Sequence, residues 1–131
     1  AFDASEKMIE IASIETQVNW WVADFKSFRA AKQYDGIWAN FSLLHAPKKE
    51  ISQLIRTIFK SLKPHGLFSL GLKLGTGEKR DKIGRQYSYF EEHEIRNILL
   101  KEEFYPISHH LGEAKGLDGE SAKFIIILSH A

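Results

Sequence analysis

The chain has 131 residues, 44% hydrophobic and 27% charged, an ordinary balance for one globular domain with a core. Lys and Arg number 18 against 17 Asp and Glu, so a formal net charge of +1 gives no pull toward nucleic acid or an anionic membrane, and small molecules are the expected partners. There is no cysteine, which excludes disulfides, thiolate metal sites and a Cys nucleophile; no apolar run approaches the roughly 18 residues of a membrane span, no signal-peptide pattern is present, and a cytoplasmic location is expected.

The first residues, Ala1, Phe2 and Asp3, read as the end of a strand, and Ser5 as the cap of the helix that follows. Residues 5–13 carry Met8, Ile11 and Ala12 at helical spacing, with Glu6 placed to suit the helix dipole. Residues 18–22 are β-branched and aromatic and run into Asp24, so a second strand also ends on an acid. A third strand is expected over residues 34–40. After Pro47, the stripe Ile51, Leu54, Ile55, Ile58, Phe59 and Leu62 predicts an amphipathic helix. Lys63, Pro64, His65 and Gly66 should stop it, and residues 67–72 follow as a strand buried on both faces.

Residues 75–86 are polar, charged and glycine-bearing, which predicts a long functional loop rather than a hairpin. A further helix is expected over residues 91–103. Residues 105–111 and 123–129 then read as two closing strands joined by the Gly-rich GEAKGLDGES; with no helix between them they should pair antiparallel. This order predicts a doubly wound α/β sheet with a mostly parallel body and an antiparallel C-terminal hairpin, ligands binding at the carboxyl ends of the strands. Asp3, Asp24 and Asn40 are all placed there. No metal-ligand spacing and no GxSxG string occurs.

The stretch YDGIWANFSLLHAP through SLKPHGLFSLGLK resembles the central part of a class I S-adenosylmethionine-dependent methyltransferase, close to the small-molecule and tellurite-resistance-type branch. In that family a strand of this form is followed by SLLH, a helix ending LKPGG and an apolar strand; here His65 replaces the first Gly of the turn. AFDASEKMIEIA, WWVADF and GEKRDKIGRQYSYFEEHEIRNIL resemble further segments of the same family in the same order.

The resemblance implies a Rossmann-like fold, S-adenosylmethionine as cofactor and a small-molecule acceptor. Asp3 matches the ribose-binding acid, and Met8 a position beside the adenine. Asp24 and Phe25 match the adenine-contacting pair, and Asn40 and Phe41 match positions beside the methionine end. Leu44 and His45 belong to SLLH. If a proton must leave the acceptor, His45 and Tyr87 are the candidates, with Lys73 and Arg85 to orient an anionic substrate; the acceptor pocket is expected to draw on a missing N-terminal segment together with residues 75–89.

One departure is large. The family's glycine-rich loop and the strand before it have no counterpart, since no GxGxG string occurs. In the family's sheet that strand lies between the one ending at Asp3 and the one beginning at Tyr34. The expectation is therefore an N-terminally truncated methyltransferase domain, inactive alone, with two unpaired edges in mid-sheet that could pair within the chain or in a homodimer. The alternative is a non-catalytic remnant serving as an interaction or dimerisation module. A dinucleotide-binding oxidoreductase would also place an acid at a strand end, but SLLH, LKPHG and the closing hairpin argue against it.

Overall fold

Ser5 starts the first helix as its side chain suggests, its Oγ accepting the Met8 N–H at 3.3 Å. The computed structural model describes residues 1–29, 32–116 and 119–131, and Leu117 and Asp118 of the expected Gly-rich connection lie outside them. Strand β1 (Phe2–Asp3) leads into α1 (Glu6–Ala12), and β2 (Trp21–Val22) pairs parallel with β1, Phe2 opposite Trp21 and Asp3 opposite Val22. The second strand is shorter than its residue types predict. Residues before it are taken up in turns, with the Trp20 indole N–H donating to the Glu15 carbonyl at 2.9 Å.

Strand β3 (Tyr34–Asn40) has the predicted limits, and so nearly does α2 (Ile51–Ser61), reached through 3₁₀ turns at Leu43–His45 and Lys48–Glu50. Strand β4 (Leu62–Lys73) begins earlier than expected. Tyr34 already pairs with Leu62, and the next rung joins Gly36 to Leu67, so the Lys63, Pro64, His65 turn bulges out of a strand instead of preceding it.

The largest correction concerns residues 75–86. They are no loop excursion but mostly an antiparallel hairpin, β5 (Glu78–Arg80) with β6 (Gln86–Ser88), Lys79 opposite Tyr87. Its connection is organised by Asp81, whose Oδ1 accepts the Ile83 and Arg85 N–H groups at 3.1 and 2.9 Å, while Oδ2 accepts Arg85 Nε at 2.8 Å. Ser88 fastens the hairpin below, its Oγ donating to the Ala46 carbonyl at 2.7 Å.

Helix α3 (Glu92–Lys101) and strands β7 (Tyr105–Lys115) and β8 (Ser121–His130) complete the chain. The main sheet has the order β3, β4, β8, β7; β3, β4 and β7 run one way and β8 alone is reversed, so the predicted antiparallel hairpin is present with its second strand inside the sheet. Ile51, Ile55 and Ile58 of α2 and Ile95 and Leu99 of α3 pack with Phe68, Leu70 and Leu72 of β4 and Ile125 and Ile127 of β8. Alternation along the strands puts Trp38 and Leu67 on the opposite face, 79% and 45% exposed. The doubly wound expectation is thus met on one face of this sheet among the described residues. The strands β1 and β2 form a separate two-stranded sheet, so among the described residues β1 and β3 each keep an unpaired edge. No helix among the described residues is long and apolar enough to cross a membrane.

Candidate active site

The two acids at the ends of the first strands lie as neighbours along the ladder, since the Ala23 N–H donates to the Asp3 carbonyl at 3.0 Å and Asp24 follows. Each carboxylate spends Oδ1 on its own turn. Asp3 accepts the Ser5 N–H at 2.8 Å and Asp24 the Ser27 N–H at 2.7 Å. The Ser27 N–H, then the Ser27 hydroxyl, hold the Asp24 carboxyl below its usual range. Both residues are exposed, Phe25 is half-buried beside them, and Met8 of α1 is 53% exposed.

Between the facing edges of β1 and β3 runs an apolar groove of about 420 Å³. Aromatic rings connect its two sides: Phe2 lies 5.7 Å from Trp21 and 5.2 Å from Phe28, which lies 6.3 Å from Tyr34. Of the residues expected at the cofactor, Phe25 and Asn40 line this groove, while Asp3, Asp24 and Met8 stand outside it. Asn40 is held by Ser69, whose Oγ donates to Asn40 Oδ1 at 2.9 Å, and by the close approach of β4 at Gly71, where a Cβ would come within 3.0 Å of the Asn40 Cα.

At Phe41 the chain turns with φ of +60°, and Phe41 faces a second cavity of about 460 Å³. All four residues expected to handle or orient an acceptor, His45, Lys73, Arg85 and Tyr87, line it. Tyr87 is the hub. His45 lies 4.7 Å from its ring, Lys73 Nζ stands 4.0 Å from the ring centroid and the Arg85 guanidinium 5.3 Å. His45 Nδ1 is 2.8 Å from the Gln86 carbonyl, which can only accept, so Nδ1 carries a proton and, in the neutral ring, Nε2 the lone pair. Arg85 is paired with Asp81 at 2.7 Å, whose side chain is 3% exposed. Burial raises the Asp81 carboxyl, but the Arg85 hydrogen bonds and charge outweigh it and hold it below its usual range.

Sequence reasoning missed Phe124 and Lys115, which form the far wall. Phe124 meets Phe41 edge to face at 5.4 Å. Its only sequence signal is Gly112, its partner across β7 and β8, where a Cβ would stand 2.4 Å from Phe124 Cζ.

A family model described as a methyltransferase domain matches residues 1–66, half of the chain, and the chain belongs to that family. No curated protein matches the sequence. Among solved structures, a SAM-dependent methyltransferase from Methanosarcina mazei superposes with a TM-score of 0.81 at 16% identity, over 98% of this chain and 79% of that one. A 1,6-didemethyltoxoflavin-N1-methyltransferase from Burkholderia thailandensis, holding 1,6-didemethyltoxoflavin and S-adenosylhomocysteine, gives 0.77 at 18% identity, over 99% of this chain and 59% of that one. An S-adenosylmethionine-dependent methyltransferase from Mesorhizobium loti gives 0.76 at 16% identity, over 99% and 78%. At such identities the likeness is one of fold. The cofactor expected from the sequence is the one that the first and third of these structures name, and the second holds S-adenosylhomocysteine, what remains of it after methyl transfer.

Proposed function

We propose that the chain is part of an S-adenosylmethionine-dependent methyltransferase acting on a small molecule, with the acceptor in the pocket of His45, Lys73, Arg85 and Tyr87. The observation that carries the reading is that consecutive residues, Asn40 and Phe41, line different cavities at the carboxyl end of β3. A cofactor reaching the Asn40 side and an acceptor on the Phe41 side would meet across one peptide unit.

The residues fit the adenosine half of the cofactor. Two exposed carboxylates at one end of a parallel strand pair, each with Oδ1 committed to its own turn, suit hydroxyl and amine donors beside the Phe25 ring. Bound S-adenosylmethionine supplies a methyl group already activated by its sulfonium. The chain's own residues then have to align the acceptor, exclude water and take a proton. His45 is oriented for the last task, its Nδ1–H engaged by the Gln86 carbonyl and Nε2 left as a base.

These 131 residues hold no GxGxG string, and the edges of β1 and β3 face each other across an apolar groove with no strand between them among the described residues. In our reading the groove takes a further strand, from a segment outside these residues or from a second copy, and the 131 residues alone bind cofactor only in the millimolar range. Titration with S-adenosylhomocysteine followed by amide NMR tests both parts. The expected result is weak binding, with shifts at Asp3, Asp24, Phe25 and Asn40 that vanish in Asp24→Ala. Micromolar affinity would overturn the fragment reading, and shifts confined elsewhere would overturn the site.

A further inference from the structure

We infer that the pocket around Tyr87 is built for a planar aromatic acid. The inference rests on the acceptor reading of this pocket and adds to it the chemical class of the acceptor. Three cations line the cavity, Lys73, Arg85 and Lys115, together with His45, and among the described residues no carboxylate lines it. On a chain with a net charge of only +1 this is a local concentration of positive charge.

The three cations are not equivalent. Arg85 directs Nε and one terminal nitrogen at Asp81, at 2.8 and 2.7 Å, so part of its charge and fork is already answered. Lys73 and Lys115 have no carboxylate partner among the described residues, and the contact that holds Lys73 is the face of Tyr87 at 4.0 Å. A carboxylate on the ligand therefore falls to the two lysines.

The walls select the rest of the molecule. Phe41 and Phe124 at 5.4 Å, edge to face, and His45 against Tyr87 at 4.7 Å present ring surfaces to a cavity of about 460 Å³, a size suited to a small ligand. Gly112 gives Phe124 its place, since a Cβ there would overlap the ring at 2.4 Å. Flat apolar walls with a cationic side fit an aromatic ring bearing one negative group better than a sugar or an aliphatic acid.

The test is a calorimetric titration of the 131-residue protein, without cofactor, using 4-hydroxybenzoate, the neutral 4-hydroxybenzamide and cyclohexanecarboxylate as probes. The benzoate is expected to bind about tenfold more tightly than either of the others. Lys73→Met and, independently, Lys115→Met at an exposed position should each reduce the preference for acid over amide, and circular dichroism should show both variants folded. Equal binding of acid and amide, or a preference untouched in both lysine variants, would overturn the inference while leaving the methyl-transfer reading standing. Retained acid preference in a protein whose S-adenosylhomocysteine shifts fall away from Asp3 and Asp24 would support this pocket and strike the methyl-transfer reading instead.

Discussion

Lys73 Nζ stands 4.0 Å from the centroid of the Tyr87 ring, so a cation that would otherwise extend into solvent is drawn over an aromatic face in the cavity beside Phe41. Such a contact is worth roughly 0.5–2 kcal/mol, enough to favour one arrangement of a flexible lysine. The contact with Lys73 is made by the face of the ring. Tyr87→Phe should leave the affinity for 4-hydroxybenzoate within about twofold, and Tyr87→Leu should weaken it about three- to tenfold, as lost cation–π orientation predicts. Titration of the two variants side by side checks this, and equal losses would assign the effect to the hydroxyl.

Gly112 and Phe124 make a second, stronger pair. An alanine at 112 places its Cβ 2.4 Å from Phe124 Cζ, and the ring has to move. Overpacking of this kind costs about 1–3 kcal/mol, and the displaced ring is a wall of the pocket. Gly112→Ala is expected to lower the urea midpoint and weaken acid binding together. Adding Phe124→Leu should recover part of the stability without recovering the binding, a coupling that a double-mutant cycle reads directly.

Acid should destabilise the fold through carboxylates whose pKa is lowered, Glu102 and Asp81 among them. Glu102, nearly buried, accepts Arg56 Nε at 2.7 Å and Ser52 Oγ at 2.5 Å, joining the end of α3 to α2. The Arg56 hydrogen bond, then the Ser52 bond and the Arg56 charge, lower its pKa against the opposing effect of burial. Asp81 is lowered by Arg85 in the same sense. A depressed folded-state pKa contributes stability that is complete above the unfolded value, about 4 for carboxylates, and lost as pH falls through the lower folded value. The urea midpoint should therefore be flat near neutrality and drop below about pH 4. Glu102→Gln should start lower at pH 7 and lose less on acidification; an unchanged pH profile would remove Glu102 from this account.

Those elements whose signal is local were the legible ones. The stripe from Ile51 to Phe59 repeats at the helical period and reads with nearly the observed limits, and the 34–40 strand reads with the observed ones. The hairpin of β5 and β6 does not, because it closes on Asp81 gathering two backbone N–H groups and the Arg85 side chain, a convergence that periodicity does not encode. In the pocket, His45, Lys73, Arg85 and Tyr87 stand out by side-chain chemistry and converge on one cavity, whereas Phe124 and Lys115 arrive through the register of β7 on β8. That register is a tertiary fact. The two-residue β2 shows the opposite error, a β-forming composition without a long partner to pair with.

His65 offers a test of how far the family pattern reports on backbone geometry. It occupies the turn position where the family resemblance leads one to expect glycine, and its φ is +63°, the left-handed region that glycine enters without strain. The side chain is exposed, and the local bond that fixes the turn is the His65 N–H donating to the Ala131 carbonyl at 3.2 Å, which any residue except proline can make. A non-glycine residue held there costs on the order of 1 kcal/mol, partly offset by the greater entropy a glycine loses on folding. His65→Gly should therefore stabilise the protein by roughly 0.5–1 kcal/mol, seen as a higher urea midpoint with an unchanged slope. His65→Ala should gain nothing, since its Cβ keeps the strain. A lower midpoint for the glycine variant would mean that the imidazole contributes more to the turn than its left-handed backbone costs.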